Sequence, residues 1–280
     1  MDIVFSEECL EYSYFGHIES PQRVREAIDI FRGKGHSFIK PDPASQRDLL
    51  RVHSDEWVDR VKAGGFFDAD TPGGKNIYKY AVLSAGGAIR AAEVDGFSLL
   101  RPPGHHAGKN GVALGASSLG FCYFNNIAVA IKKLGKPAMV LDIDGHHGNG
   151  TQEIFLGDPN VTFISIHQSP QYPGTGLASD MNCLNFPLPY NAGDRLYLKT
   201  LQKTFKQVNN MDEIEVVGIS AGFDAHEGDI ASLGLTSRCY TEIGERISKL
   251  KKKVFGVLEG GYSGENIGAD LNNLIQGLQR

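Results

Sequence analysis

Short, nearly continuous apolar runs alternate along this chain with longer stretches in which apolar residues recur every three or four positions. The runs Ile3–Phe5, Phe97–Arg101, Met139–Ile143, Val161–Ile166, Val216–Ser220 and Val254–Leu258 predict strands. Between them, Val24, Ile28 and Phe31 share one face of a helix that Ser20 and Pro21 open, a cap followed by a proline in the first turn. Ser54 caps a second helix through Trp57, Val58 and Val61. Further helices are expected at Asn76–Glu93, at Asn126–Leu134 with Gly135 as its stop, at Arg195–Val208 after Asp194, at Ser237–Lys252 after Thr236, and at Asn266–Leu278. This alternation predicts an α/β fold with one mostly parallel sheet flanked by helices. No linker, repeat or low-complexity tract interrupts it, so residues 1–280 are expected to form a single domain.

Composition narrows the classes. A chain of 280 residues buries about three quarters of its unfolded surface and needs no covalent staples. Cys9, Cys122, Cys183 and Cys239 are scattered without Cys-x-x-Cys spacing, which predicts reduced thiols and a cytoplasmic location. The start, Met1-Asp-Ile-Val-Phe-Ser, reads as a first strand and not as a signal peptide. No apolar run is long enough to cross a membrane. A net charge of −5 argues against a general nucleic-acid surface while tolerating a cationic substrate.

Two stretches concentrate the candidate chemistry: Arg101-Pro-Pro-Gly-His-His-Ala107 and Leu141-Asp-Ile-Asp-Gly-His-His-Gly-Asn-Gly150. Residues i and i+2 of a strand project to one side, so Asp142 and Asp144 can leave its carboxyl end together, and His146 joins them if the chain stays extended through Gly145. A carboxylate and an imidazole at that spacing make half a site for a divalent metal, which in an enzyme takes three protein ligands and keeps one position open. A candidate third ligand is Asp224, at the end of the apolar strand in Val216-Val-Gly-Ile-Ser-Ala-Gly-Phe-Asp224. The strand before Leu258-Glu-Gly-Gly-Tyr262 brings Glu259 and Tyr262 to the same edge, where open α/β sheets bind ligands. Taken singly, each of these acids and histidines has an ordinary alternative as a loop cap or a solvated side chain.

The chain as a whole resembles the zinc-dependent histone deacetylase family, which shares its three-layer fold with arginases and includes acetylpolyamine amidohydrolases. The matching pieces are His17-Ile-Glu-Ser-Pro-Gln-Arg23, Val52-His-Ser54, Arg101 to Ala107, Gly120-Phe-Cys-Tyr-Phe-Asn-Asn126, Asp142 to Gly150, Pro173-Gly-Thr-Gly176, Ala221-Gly-Phe-Asp224 and Leu258 to Tyr262. They occur in family order from end to end. The resemblance is to class II-like, stand-alone prokaryotic deacetylases, and it implies an arginase/deacetylase fold carrying one catalytic domain.

It also implies roles. Asp144, His146 and Asp224 would bind one zinc ion per chain. His105 would pair with Asp142 and His106 with Asn149, and asparagine at 149, in place of the aspartate of some relatives, matches the class II pattern. A carboxylate partner favours imidazolium, whereas an amide orients the ring without raising its pKa as much, which makes His106 the general base and His105 its electrostatic partner. Tyr262 takes the position of the phenol that stabilises the oxyanion. Phe121 and Tyr172, otherwise core aromatics, would wall the acyl-lysine stem, and the Gly120 carbonyl would receive its amide hydrogen. Asp70 falls near a rim aspartate that grips substrate backbone, although a turn aspartate is the plainer reading. His17 and Arg23 match an amino-terminal pattern that is as readily structural as functional. Asp142, Asp144, His146, Ser165 and Ile166 match a monovalent cation site, often potassium, and a second such site falls near Phe155, Asp158 and Val161.

For the substrate, Gly228-Asp-Ile-Ala-Ser-Leu233 is one residue shorter than its family counterpart and offers no rim glutamate of the polyamine-selective kind. It also lacks the usual bulky residue unless Leu233 moves in, so a wider mouth is expected. The leading expectation is metal-dependent hydrolysis of N-acetyl-lysine-type amides, with acetylpolyamine hydrolysis as the alternative. An arginase-like two-metal site is disfavoured because Asn149 stands where a further aspartate is needed. A reader that binds acetyl-lysine without turnover would have no use for Tyr262, His106 and three metal ligands together.

Overall fold

The computed structural model describes residues 1–280. Its strands are β1 (Ile3–Val4), β2 (Phe38–Ile39), β3 (Phe97–Ser98), β4 (Ala107–Gly108), β5 (Gly111–Val112), β6 (Ala138–Asp142), β7 (Val161–Gln168), β8 (Cys183–Leu188), β9 (Val216–Ala221) and β10 (Lys253–Leu258). All but β4 and β5 form one parallel sheet in the order β2-β1-β3-β10-β9-β6-β7-β8, while β4 and β5 pair as a small antiparallel hairpin. The expected α/β architecture is therefore present. The interior strands β6, β7 and β9 are buried along their whole length, as continuous apolar runs require when helices cover both faces of a sheet.

The strand order positions the site. After β8 reaches the sheet edge, the chain returns to insert β9 and β10 between β6 and β3. Asp142 is thereby in register with Ser220 of β9, and Leu258 of β10 with Ala221. The loops that leave β6, β9 and β10 start side by side, at the carboxyl edge where a doubly wound sheet opens.

Several expectations needed correction. β2 and β8 were not anticipated: β2 is only two residues long, and β8, Cys-Leu-Asn-Phe-Pro-Leu, carries Asn185 and Pro187, which only an edge strand tolerates. The helix Asn149–Phe155 was also missed, because its polar opening, Asn-Gly-Thr-Gln, has no helical apolar period. β3 stops at Ser98 instead of Arg101. The first helix, Gln22–Gly33, has no side-chain cap from Ser20. Thr236 does not cap Ser237–Ser248 either, since its hydroxyl donates to Asp194 Oδ2 at 2.7 Å. Ser54 does cap Asp55–Ala63, accepting from the Trp57 N–H at 3.2 Å.

One buried ionic cluster ties the amino-terminal segment to the site edge. Glu19 accepts from Arg23 Nη1 at 2.7 Å and from Arg101 Nη2 at 2.5 Å, with all three side chains shut away from solvent. Arg23 also donates to the carbonyl oxygens of Glu259 and Gly261. Removing one member of such a cluster strands buried charge and costs about 3–5 kcal/mol.

Candidate active site

β6 ends on Asp142, and the chain then bends instead of remaining extended. The turn is held by carboxylates: Asp144 N–H donates to Asp142 Oδ1 (3.1 Å), Gly145 N–H to Asp224 Oδ1 (2.7 Å) and His146 N–H to Asp144 Oδ1 (2.8 Å). His146 thus reaches the site through a bend that Asp224 helps to make. Asp144, His146 and Asp224 are buried, and their candidate ligand atoms lie within 4.8 Å of one another. His146 Nδ1 is 2.8 Å from Asp224 Oδ2 and 3.2 Å from Asp144 Oδ1.

These residues suit a divalent cation. Asp224 Oδ2 is fully buried and makes no well-directed hydrogen bond, despite its closeness to His146 Nδ1. Burial and the charge of Asp144 push the Asp224 pKa up to about 6. Asp144 is held below its usual range: burial opposes ionisation, but His105 and His146 outweigh it. Burial likewise disfavours charge on His146, yet Asp224 and Asp144 raise its pKa to about 10. A positive charge is wanted among these three groups, and two carboxylates with one imidazole offer a divalent ion three mixed oxygen and nitrogen donors.

His105 and His106 are presented by Glu259, whose Oε2 accepts the N–H groups of Gly104 (2.7 Å) and His105 (3.1 Å) while Oε1 accepts from Ser220 Oγ (3.1 Å). His105 Nδ1 lies 2.9 Å from Asp142 Oδ2, and His106 Nδ1 lies 2.7 Å from Asn149 Oδ1. The two rings then titrate in opposite directions. Burial disfavours the cation on both, but Asp142 and Asp144 hold His105 well above the ordinary value. His106 falls well below it through burial and the nearby charges of His105 and His146.

Above these groups opens a cavity of about 240 Å³ lined by Asp70, His106, Gly120, Phe121, His146, Gln171, Tyr172, Ile230 and Tyr262. Gly120 is required twice over: its φ is +56°, and a Cβ there would lie 2.4 Å from His106 Cδ2. Its carbonyl oxygen accepts weakly from Cys122 Sγ at 3.3 Å. Phe121 packs edge-on to His17 (4.8 Å) and Tyr262 (5.8 Å), and the Tyr172 ring stands 5.0 Å from His106 while its hydroxyl donates to the Ser118 carbonyl at 2.9 Å. The Tyr262 ring lies beneath the Arg23 guanidinium at 4.7 Å. Burial keeps this phenol protonated, its pKa well above the ordinary value, with Arg23 pulling the other way.

The structure brings the expected residues to one place but changes the surroundings. Asp70 turns its carboxylate inward, accepting from Ser118 Oγ (2.6 Å), Thr71 Oγ1 (2.8 Å) and Gly120 N–H (3.1 Å), so it braces the loop that carries Phe121. Leu233 does not reach the mouth, being fully buried. Ile230, 45% exposed, lines the cavity instead, and Gln171 Nε2 donates to its carbonyl at 3.1 Å. The shortened loop therefore leaves a bulky apolar residue at the rim. Asp229 was not anticipated: its Oδ1 and Oδ2 accept the N–H groups of Ile230 (2.7 Å) and Tyr262 (2.9 Å). Glu259, which the sequence puts at this edge, holds the Gly104 and His105 N–H groups there. Beside the Asp144, His146 and Asp224 cluster, Asp142 and Ser165 are register partners on β6 and β7, with Ile166 buried next to them.

A family model described as the histone deacetylase domain matches residues 17–278. The chain is 39% identical to a probable deacetylase of Archaeoglobus fulgidus, across 94% of this chain and 81% of that relative. It is similar to the crystal structure of the HDA15 HD domain, with a TM-score of 0.89 and 31% identity over 98% of this chain and 88% of that one. An acetylpolyamine aminohydrolase from Burkholderia pseudomallei shares the fold at a TM-score of 0.88 and 23% identity, covering 99% of this chain and 98% of its own. No helix is long and apolar enough to cross a membrane.

Proposed function

Because the chain belongs to the histone deacetylase family, we propose that it is a zinc-dependent amidohydrolase that removes acetyl groups from N-acetyl-lysine-type amides. The observation that carries this reading is that one cavity holds His106, His146 and Tyr262, with the buried Asp144, His146 and Asp224 cluster at its inner end. When bound by those three residues, zinc supplies Lewis acidity, polarising the acetyl carbonyl and lowering the pKa of water toward ~7. A potassium ion held by Asp142, Asp144, His146, Ser165 and Ile166, which would brace the loop carrying Asp144 and His146, belongs to the same proposal.

The chain's own groups divide the remaining work. Asn149 Nδ2 donates to the Ala113 carbonyl at 2.9 Å, which leaves Oδ1 as the acceptor for His106. His106 then carries its proton on Nδ1 and offers a bare Nε2, a base that removes the proton of water and afterwards protonates the departing amine. His105, kept cationic by Asp142, offsets negative charge as it develops. Tyr262 donates to the oxyanion, an interaction worth most where that charge is greatest. Phe121 and Tyr172 exclude water from the acyl-lysine stem, and Gly120 offers its carbonyl to the substrate amide.

The mouth favours a peptide over a polyamine. Both oxygens of Asp229 are taken by backbone donors, Asp70 is turned inward, and the residue left at the rim is Ile230. No carboxylate without protein partners remains there to recognise a secondary ammonium. The test is hydrolysis of acetyl-lysine peptides and of acetylspermidine, each with and without a chelator. Chelator-sensitive cleavage with kcat/KM for peptides at least equal to that for acetylspermidine is expected. A preference for acetylspermidine above about tenfold, ~1.4 kcal/mol, would overturn the substrate assignment.

A further inference from the structure

In the turn between the helix Asn149–Phe155 and β7, the resemblance places a second monovalent cation near Phe155, Asp158 and Val161. The carbonyl oxygens of these three residues converge there on a nitrogen, Nδ2 of Asn182, at 2.8, 3.3 and 2.7 Å. Which end of the amide faces them is decided on its other side, where Oδ1 accepts the Gly157 N–H at 2.7 Å. Exchanging oxygen and nitrogen would set an NH₂ group against an N–H donor. Carbonyl oxygens gathered about one point are the surroundings that replace the hydration shell of an alkali cation. Here an amide with two hydrogens serves three acceptors. Lys132 neutralises the carboxylate beside the turn, its Nζ lying 2.6 Å from Asp158 Oδ2 and 5.4 Å from the centre of the Phe155 ring. The residues present do not fit an added ion at that point.

We propose that the Asn182 side chain stands in for a monovalent cation among the carbonyls of Phe155, Asp158 and Val161, so that this chain binds no ion there unless the amide is removed. The substitution fastens the end of the helix that begins at Asn149 to the residue preceding β8 with a covalently attached donor. That turn is then independent of the salt around it. It also leaves the potassium site at Asp142 and Ser165, if filled, as the single alkali site of the chain.

The test uses the full chain and its Asn182→Ala variant. Thermal unfolding is followed in potassium chloride and in choline chloride at equal ionic strength, and crystals soaked in rubidium are examined for anomalous scattering. The variant is expected to melt below wild type in choline and to regain that loss in potassium, whereas a purely structural loss of hydrogen bonds would not be restored selectively. Rubidium is expected at the three carbonyls in the variant and not in wild type, one added ion per chain. Rubidium at that point in wild type overturns the proposal, and so does its absence there in the variant. If Asn182→Ala does not fold in either salt, Asn182→Ser is read by the same two measurements.

Discussion

His106 Nδ1 stands 2.7 Å from Asn149 Oδ1, a contact that fixes the tautomer of the ring while burial and the charges of His105 and His146 hold its pKa low. The neighbouring His105 makes the same kind of bond to a carboxylate, Asp142, at 2.9 Å, and is held cationic where His106 is neutral. Two adjacent histidines in one buried site are driven apart in pKa because the carboxylates of Asp142 and Asp144 face His105 while the cations of His105 and His146 face the buried His106.

Replacing Asn149 by aspartate should therefore raise the His106 pKa, by about one to three units if the new carboxylate is ionised. His106 must be neutral to accept a proton, so the acid limb of the kcat/KM profile moves to higher pH by that amount. An unchanged acid limb in Asn149→Asp would show that another group is the base.

The metal prediction concerns stoichiometry. Asp144, His146 and Asp224 are the one group of acids and imidazoles placed to share a divalent ion. Elemental analysis should find about one divalent ion per chain, and Asp224→Ala should lose ion and activity together. Two ions per wild-type chain would contradict the site.

Tyr262→Phe should lower kcat by ~10²–10³ with a much smaller effect on KM, because the phenol acts chiefly on developing charge. Asp229→Ala releases the Tyr262 backbone and should weaken kcat in the same direction by less. Steady-state kinetics on an acetyl-lysine peptide separates the two. Equal losses would mean that Asp229 acts directly on the substrate.

Acid should destabilise the fold through His53. Its Nδ1 lies 2.9 Å from the Gly108 carbonyl and its Nε2 accepts the Asn125 N–H at 2.9 Å, so a second ring proton has nowhere to point. Burial lowers its pKa to about 4. Between about 6.5, the unfolded value, and about 4, the unfolded chain takes up a proton that the folded chain refuses, and stability falls as pH falls, by at most about 1.4 kcal/mol per pH unit. Denaturant melts of wild type and His53→Gln across that range should show a shallower pH dependence in the variant. Identical slopes would assign the acid sensitivity elsewhere, with His147 and His167, also lowered by burial, as the next to examine.

Continuous apolar runs announced the interior strands, because a strand covered on both faces has no polar side to interrupt it. The ordered motifs likewise brought Asp144, His146, Asp224, His106 and Tyr262 forward, although the bend that carries His146 depends on Asp224 from a distant segment. Tertiary structure alone decided what surrounds them. β8 and the helix at Asn149 exist because neighbours pair with and bury them, not because their own residues favour those forms. Asp70 turned inward, Asp229 became the support of Tyr262, and Ile230 took the rim that Leu233 left. In each case the outcome depended on which donors and packing partners lay within reach, and distances between segments remote in sequence are set only when the chain is packed.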